Sequence, residues 1–257
     1  MDSNKPDAVT QYQGECEEHG AFTGNIINIL GRELRGGCKA CADERSAAEE
    51  ARKRDQETML ARMRLAEKMG GAAIPERFKG KTFAGYVADT ERQQRALTIC
   101  TDYAKGFDDH LAEGRCLMLM GKPGCGKTHL AAAIAGHVVA ETGYTAVYRS
   151  MPGLVQEIRA TYDSHTTYTE SDVISTITRC GLLVLDEIGA TKSSDFELTL
   201  LFTIINGRYE RKLPTVIVSN LAPKELHTAI GDRCVDRLRE GGGIVVGFDW
   251  ESKRGEL

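Results

Sequence analysis

Residues 121–128 read Gly121-Lys122-Pro123-Gly124-Cys125-Gly126-Lys127-Thr128, the full G-x-x-x-x-G-K-[ST] spacing of a phosphate-binding loop. Each position has a physical task. The glycines let the backbone turn its N–H groups inward around an anion. Lys127 brings a cation to the outer phosphates, and the Thr128 hydroxyl offers a ligand to Mg²⁺. The motif also constrains the fold, because it works only between a buried strand and the start of a helix. The flanks comply. Cys116-Leu117-Met118-Leu119-Met120 is a short apolar run suited to a buried strand, and His129 to Ala140 is helix-prone and mostly apolar. A helix starting there aims its N-terminus at the phosphates, so Gly121 through His129 is the expected nucleotide-binding segment. A chance glycine-rich turn would not bring both flanks with it.

Two further apolar runs end in polar residues that complete such a site. Leu182-Leu183-Val184-Leu185 leads into Asp186-Glu187. Beside a phosphate loop, the first acid sits by Mg²⁺ with Thr128, and the second orients and deprotonates the attacking water. Val216-Ile217-Val218-Ser219 leads into Asn220, which can bond the γ-phosphate or that water; a turn-forming Asn is the plainer alternative. Strand ends carrying these groups, together with Lys127, should share one sheet edge, where open α/β sheets bind ligands. Further along, Gly231-Asp232-Arg233-Cys234-Val235-Asp236-Arg237-Leu238-Arg239 is a helix with cations at several angles. It fits a solvated basic face or an arginine finger reaching a neighbouring subunit's nucleotide, and spacing does not decide between them.

The apolar runs at 116–120, 145–148, 182–185, 215–218 and 243–247 alternate with helical segments near 151–163, 170–179 and 195–211. Alternation of this kind predicts an α/β fold, a three-layer sandwich on a mainly parallel sheet. The predicted organisation is a zinc module at 1–45, a helical linker or partner-binding segment at 46–77, and the ATPase domain at 78–257. Ala, Glu, Arg, Lys and Met dominate 46–69, with Gly70-Gly71 closing the expected helix. Met59, Met63, Ala66 and Met69 form a narrow stripe that suits a solvated linker and a helix presented to a partner protein equally well.

Cys16-x-x-His19 and Cys38-x-x-Cys41 are two ligand pairs, able to give one Zn²⁺ three thiolates and an imidazole. Phe22, Ile26, Ile27, Ile29 and Leu30 lie between them and suggest a small apolar hairpin whose folding free energy comes from the metal. A redox Cys-x-x-Cys would open a helix in a βαβ context, which the sequence does not suggest. Cys100, Cys116, Cys125, Cys180 and Cys234 stand at no ligand spacing and read as small core or loop residues. Eight cysteines beside a nucleotide loop, with a polar N-terminus, argue for a reducing, cytoplasmic compartment. No apolar stretch is long enough to span a bilayer. A net charge of −4 excludes a polybasic nucleic-acid binder while allowing a local basic surface.

Gly121 through Ala131, Leu183 through Gly189, and the stretch from Ile205-Asn206-Gly207-Arg208 to Leu221 resemble DnaC-type helicase loaders. So do Gly231 through Leu238, Phe248-Asp249-Trp250-Glu251-Ser252-Lys253-Arg254, and Ile74-Pro75-Glu76-Arg77-Phe78. The match covers roughly residues 74–254, and the Cys/His segment is similar to phage and prophage members. The resemblance implies an AAA+ ATPase using ATP, with ADP as product, and Mg²⁺. Its partners would be the DnaB-like hexameric replicative helicase, bound through the N-terminal region, single-stranded DNA, and copies of itself across ATP sites, with no membrane. It casts Asn220 as sensor 1, Arg233 as the trans-acting arginine and Arg254 as a second sensor, and it implies a shortened core without the helical lid. An IstB-type transposition helper shares the core and is the nearest rival. A DnaA-type initiator, or a nucleotide-gated scaffold with little hydrolysis, is a weaker one.

Overall fold

The computed structural model describes residues 10–29, 32–72, 74–163, 169–190 and 194–252. The chain divides into two compact units, Met1–Met63 and Arg64–Leu257. Arg254 and Leu30 lie outside the described residues, as do the side chains of Met59, Met63, Ala66 and Met69. Among the described residues no helix is long and apolar enough to cross a membrane.

The first unit is an antiparallel meander, β1 (Thr10–Cys16), β2 (Gly20–Ile29) and β3 (Arg32–Arg35), in that order. Cys16 pairs with Gly20, so residues 17–19 form the hairpin turn, and Gly20 takes the φ of 71° that such a turn favours in glycine. Period-two alternation half-buries Tyr12, Gly14 and Cys16 and exposes their neighbours. The apolar centre is small: Tyr12 meets Phe22 edge-to-face at 6.1 Å, and the Tyr12 hydroxyl donates to the Gly36 carbonyl at 2.6 Å. Ile27 and Leu34, cross-strand partners, stay exposed rather than filling a core.

Helix α1 (Lys39–Ala72) begins well before residue 46, because Cys38 already accepts from the Ala42 N–H at 3.1 Å. It also runs through Gly70-Gly71. Each glycine weakens a helix by about 1 kcal/mol, which does not by itself end one. Cys38 and Cys41 therefore stand at a helix start, the position expected of a redox pair, but an antiparallel meander precedes them rather than a βαβ unit. The boundary between the two units falls inside α1.

The second unit is built on five parallel strands in the order β5-β6-β7-β4-β8: β4 (Leu117–Gly121), β5 (Ala146–Ser150), β6 (Leu182–Ile188), β7 (Thr215–Ser219) and β8 (Ile244–Phe248). Around them lie α2 (Glu91–Lys105), α3 (Phe107–Glu113), α4 (Lys127–His137), α5 (Met151–Ala160), α6 (Glu170–Arg179), α7 (Asp195–Tyr209), α8 (Pro223–Ile230) and α9 (Asp232–Arg239). Strand alternation sorts the core into two layers. Leu117, Leu119, Val184 and Tyr148 pack with α2 and α4, whereas Met118, Met120, Leu183 and Leu185 pack with α5 to α9. This is the expected three-layer sandwich. The connection leaving β4 runs to the far edge at β5, with β6 and β7 between, whereas the one leaving its neighbour β7 runs the opposite way to β8. The carboxyl end of β4 thus sits at the topological switch point where α/β sheets open a crevice.

Candidate functional site

The loop between β4 and α4 is shaped by close packing on both sides. Gly124 has φ 80°, and a Cβ there would stand 1.9 Å from Ser252 Oγ. Gly126 has φ 88°, and a Cβ there would stand 2.6 Å from the Tyr86 ring. Only glycine fits either place. The Cys125 carbonyl accepts from the Tyr86 hydroxyl at 3.2 Å and from Trp250 Nε1–H at 3.1 Å. The Cys125 thiol is buried, which pushes its pKa up, and it is held as a packing group rather than presented as a nucleophile. The Lys122 N–H donates to the Phe248 carbonyl at 2.9 Å, where β8 continues the sheet. His129 packs its ring edge-on against Tyr86 at 5.4 Å, with Nε2 2.9 Å from the Thr82 carbonyl. Segments before and after the core thus brace the loop together.

Lys127, only 5% exposed, donates from Nζ to the carbonyls of Gly121 and Lys122 at 2.7 and 2.6 Å, which holds its ammonium inside the loop. Thr128 Oγ1 donates to Asp186 Oδ2 at 3.0 Å. Asp186 is buried near the end of β6 and accepts at Oδ1 from the Glu187 N–H at 2.6 Å. Oδ2 takes a further bond from the Tyr148 hydroxyl on β5, and burial, then Asp186 itself, push the pKa of that phenol upward. Pairing between β6 and β7 slips by one residue between Leu185 and Ile188, a bulge that places Glu187 at φ 61° and exposes its carboxylate. Ser219 Oγ closes the bulge by donating to the Ile188 carbonyl at 2.7 Å, and Asn220 follows directly.

One cavity of about 430 Å³ gathers Pro123, Gly124, Gly126, Lys127, Thr128, His129, Asp186, Glu187 and Asn220. Gly121, Lys122 and Cys125 support the loop from outside that lining. Arg77, Phe78 and Lys81 line the same cavity; the Ile74–Phe78 motif singles out Arg77 and Phe78 without giving them a role, and Lys81 has no sequence signal. Arg233 is not in the cavity. It is exposed on α9 and lines a separate groove with Phe202, Ile230 and Asp232. Arg237, one turn on, is held over the rings of Phe202 and Tyr209 at 4.7 and 5.5 Å.

In the first unit, one ligand atom from each of Cys16, His19, Cys38 and Cys41 lies within 4.8 Å of all the others. Cys41 Sγ stands 3.5 Å from Cys16 Sγ and 3.3 Å from His19 Nδ1. His19 turns its other nitrogen, Nε2, to Glu44 Oε1 at 3.1 Å, as metal-ligating histidines commonly do. Bonds from the Glu18 and His19 backbone and the His19 ring hold the Cys16 thiol down at about 6, whereas its bond to Cys16 pushes Cys41 up to about 12. The donor set and spacing fit a tetrahedral thiophilic ion.

A sequence profile described as an IstB-like ATP binding protein matches residues 46–238. The chain belongs to that family. Among relatives of this IstB-like protein, the replicative helicase loader DnaC of Escherichia coli (strain K12) is 29% identical over 195 residues, 76% of this chain and 78% of DnaC. The uncharacterized protein YdaV of the same strain is 30% identical over 193 residues, 75% of each chain. A crystal structure of the DnaC helicase loader superposes with a TM-score of 0.61 at 23% identity, covering 68% of this chain and all of that one. The IstB-like core thus has the AAA+ fold, and the chain is related to DnaC-type AAA+ loaders.

Proposed function

We propose that this chain is an ATPase that binds a hexameric replicative helicase and loads it onto single-stranded DNA. The observation that carries this reading is the single cavity holding Lys127, Thr128, Asp186, Glu187 and Asn220, on a core aligned with most of DnaC. In it, the loop N–H groups and Lys127 bind the triphosphate of ATP, and Thr128 and Asp186 hold Mg²⁺, which neutralises phosphate charge. Glu187 takes a proton from the attacking water, Asn220 orients that water, and ADP and phosphate leave. Arg233 acts in trans on a neighbouring copy, so ATP controls assembly. The Cys16, His19, Cys38 and Cys41 cluster holds one Zn²⁺ and fixes the N-terminal unit as the helicase-binding module.

The family match itself favours a second reading, a transposition helper acting on a transposase. Co-purification with the host's replicative helicase, with and without ATP, separates the two. A version lacking residues 1–69 and a zinc assay run alongside. The expected outcome is one zinc per chain, helicase capture that needs residues 1–69, and ATP-dependent loading onto single-stranded DNA. Failure to capture helicase, with capture of a transposase instead, would move this ATPase to the second reading.

A further inference from the structure

The Asp186 carboxylate is held by more than the loop. Asp186 is only 7% exposed, and its terminal torsion is intrinsically soft, so its oxygens point where their hydrogen bonds send them. Oδ1 is tied to the Glu187 N–H at 2.6 Å and Oδ2 to Thr128 Oγ1 at 3.0 Å. Oδ2 carries one more bond, 2.5 Å from the Tyr148 hydroxyl. Parallel pairing sets Tyr148 opposite Val184 and Ser150 opposite Asp186. Tyr148, Val184 and Asp186 therefore project from one face of the sheet, with Tyr148 two residues behind Asp186, roughly 6.6 Å along the strand. A tyrosine spans that offset, whereas serine or threonine at 148 would fall short. Its ring is 1% exposed, packed in the layer that includes Leu130 and Ala131 of α4.

We propose that Tyr148 is a positioning residue for the metal-binding carboxylate, fixing Asp186 from the neighbouring strand so that Asp186 and Thr128 present one preformed pair of oxygens to Mg²⁺. This rests on the ATP–Mg²⁺ reading of the cavity. Tyr148 is not among the residues that line the cavity. It acts through Asp186, and its hydroxyl also shares a hydrogen bond with the Thr128 side chain, the other member of that pair.

The test uses the full chain and Tyr148→Phe, which keeps the buried ring and removes only the donor. Binding of a fluorescent ATP analogue is titrated with Mg²⁺, and the Mg²⁺ concentration giving half of the metal-dependent gain is read. Loss of a partner that orients a metal-binding carboxylate should raise that midpoint about ten- to a hundredfold. Affinity for the analogue in EDTA should be unchanged. In the Asp186→Asn background the further change Tyr148→Phe should shift the midpoint little, because the shared partner is already altered. An unchanged or lowered midpoint would overturn the proposal, even if the variant melts at a lower temperature, since a packing role alone moves the melt and not the metal dependence. Wild-type protein whose analogue binding ignores Mg²⁺ altogether would instead remove the ATP–Mg²⁺ reading, and this proposal with it.

Discussion

Glu187 holds a left-handed backbone, φ 61°, that costs a residue with a side chain about 1–2 kcal/mol. The bulge in β6 sets that conformation, and the Glu187 N–H bond to Asp186 Oδ1 holds it. Strain kept at such a position suggests that the side chain is retained for its chemistry. Replacing it with glycine separates strain from function. Glu187→Gly should leave folding unchanged or stabilise it by up to about 1 kcal/mol, because glycine accepts this φ freely. It should keep ATP binding and lose hydrolysis. Chemical denaturation and a phosphate-release assay on the same preparation check both halves. Retained turnover would end the role given to Glu187. The motif Asp186-Glu187 was visible as letters, whereas the bulge was not: nothing in Leu182 through Ile188 announces a one-residue slip against β7.

At the scale of elements, Arg208 ties together parts that the strand pattern shows only separately. It sits on α7, 1% exposed, with no carboxylate among its hydrogen-bond partners. Its guanidinium donates to the carbonyls of Ile177 and Cys180 at the end of α6, of Gly181 before β6, and of Pro214 before β7, and to Thr215 Oγ1. Burial lowers its pKa, and the five oxygens replace the lost water. Arg208→Ala should cost at least about 3 kcal/mol, because several buried carbonyls lose a charged donor at once. Arg208→Lys should recover part of this, since an ammonium cannot reach all five oxygens. Urea midpoints at constant slope measure it, and a loss below about 1 kcal/mol would refute the account.

The strands around Arg208 were legible because each is a run of Leu, Val and Ile buried on both faces. Helices α2 and α3 were not. The buried stripe of α2 is Gln93, Ala96, Cys100, Tyr103 and Ala104, small or polar residues that hide the helical period, although Thr90 and Gln93 form its capping box. Tyr148 and Lys81 were missed for another reason. They join the site through packing between distant segments, and no local spacing encodes that.

For the whole molecule, a net charge of −4 leaves no global attraction to DNA, so on the loader reading proposed above any grip would come from copies assembled around it. Sequence spacing alone left several arginines of α9 as candidates for the contact between copies. The fold separates two of them. Arg237 is occupied in stacking on Phe202 and Tyr209, while Arg233 is exposed and lines a groove that shares no residue with its own cavity. An arginine that reaches a neighbour's γ-phosphate is useless to the chain that owns it. Arg233→Ala should therefore bind ATP normally and hydrolyse it at least about tenfold more slowly, given the far larger effects of such arginines elsewhere. The same logic predicts rescue by mixing. An Arg233→Ala chain keeps its own Glu187, and a Glu187→Gln chain keeps its own Arg233. Each alone should hydrolyse ATP poorly, yet an interface formed by the first chain's cavity and the second chain's α9 holds both groups. Titrating one variant into the other should restore hydrolysis to a maximum at comparable concentrations. If the mixture stays as inactive as its components while still co-assembling, Arg233 does not act across copies.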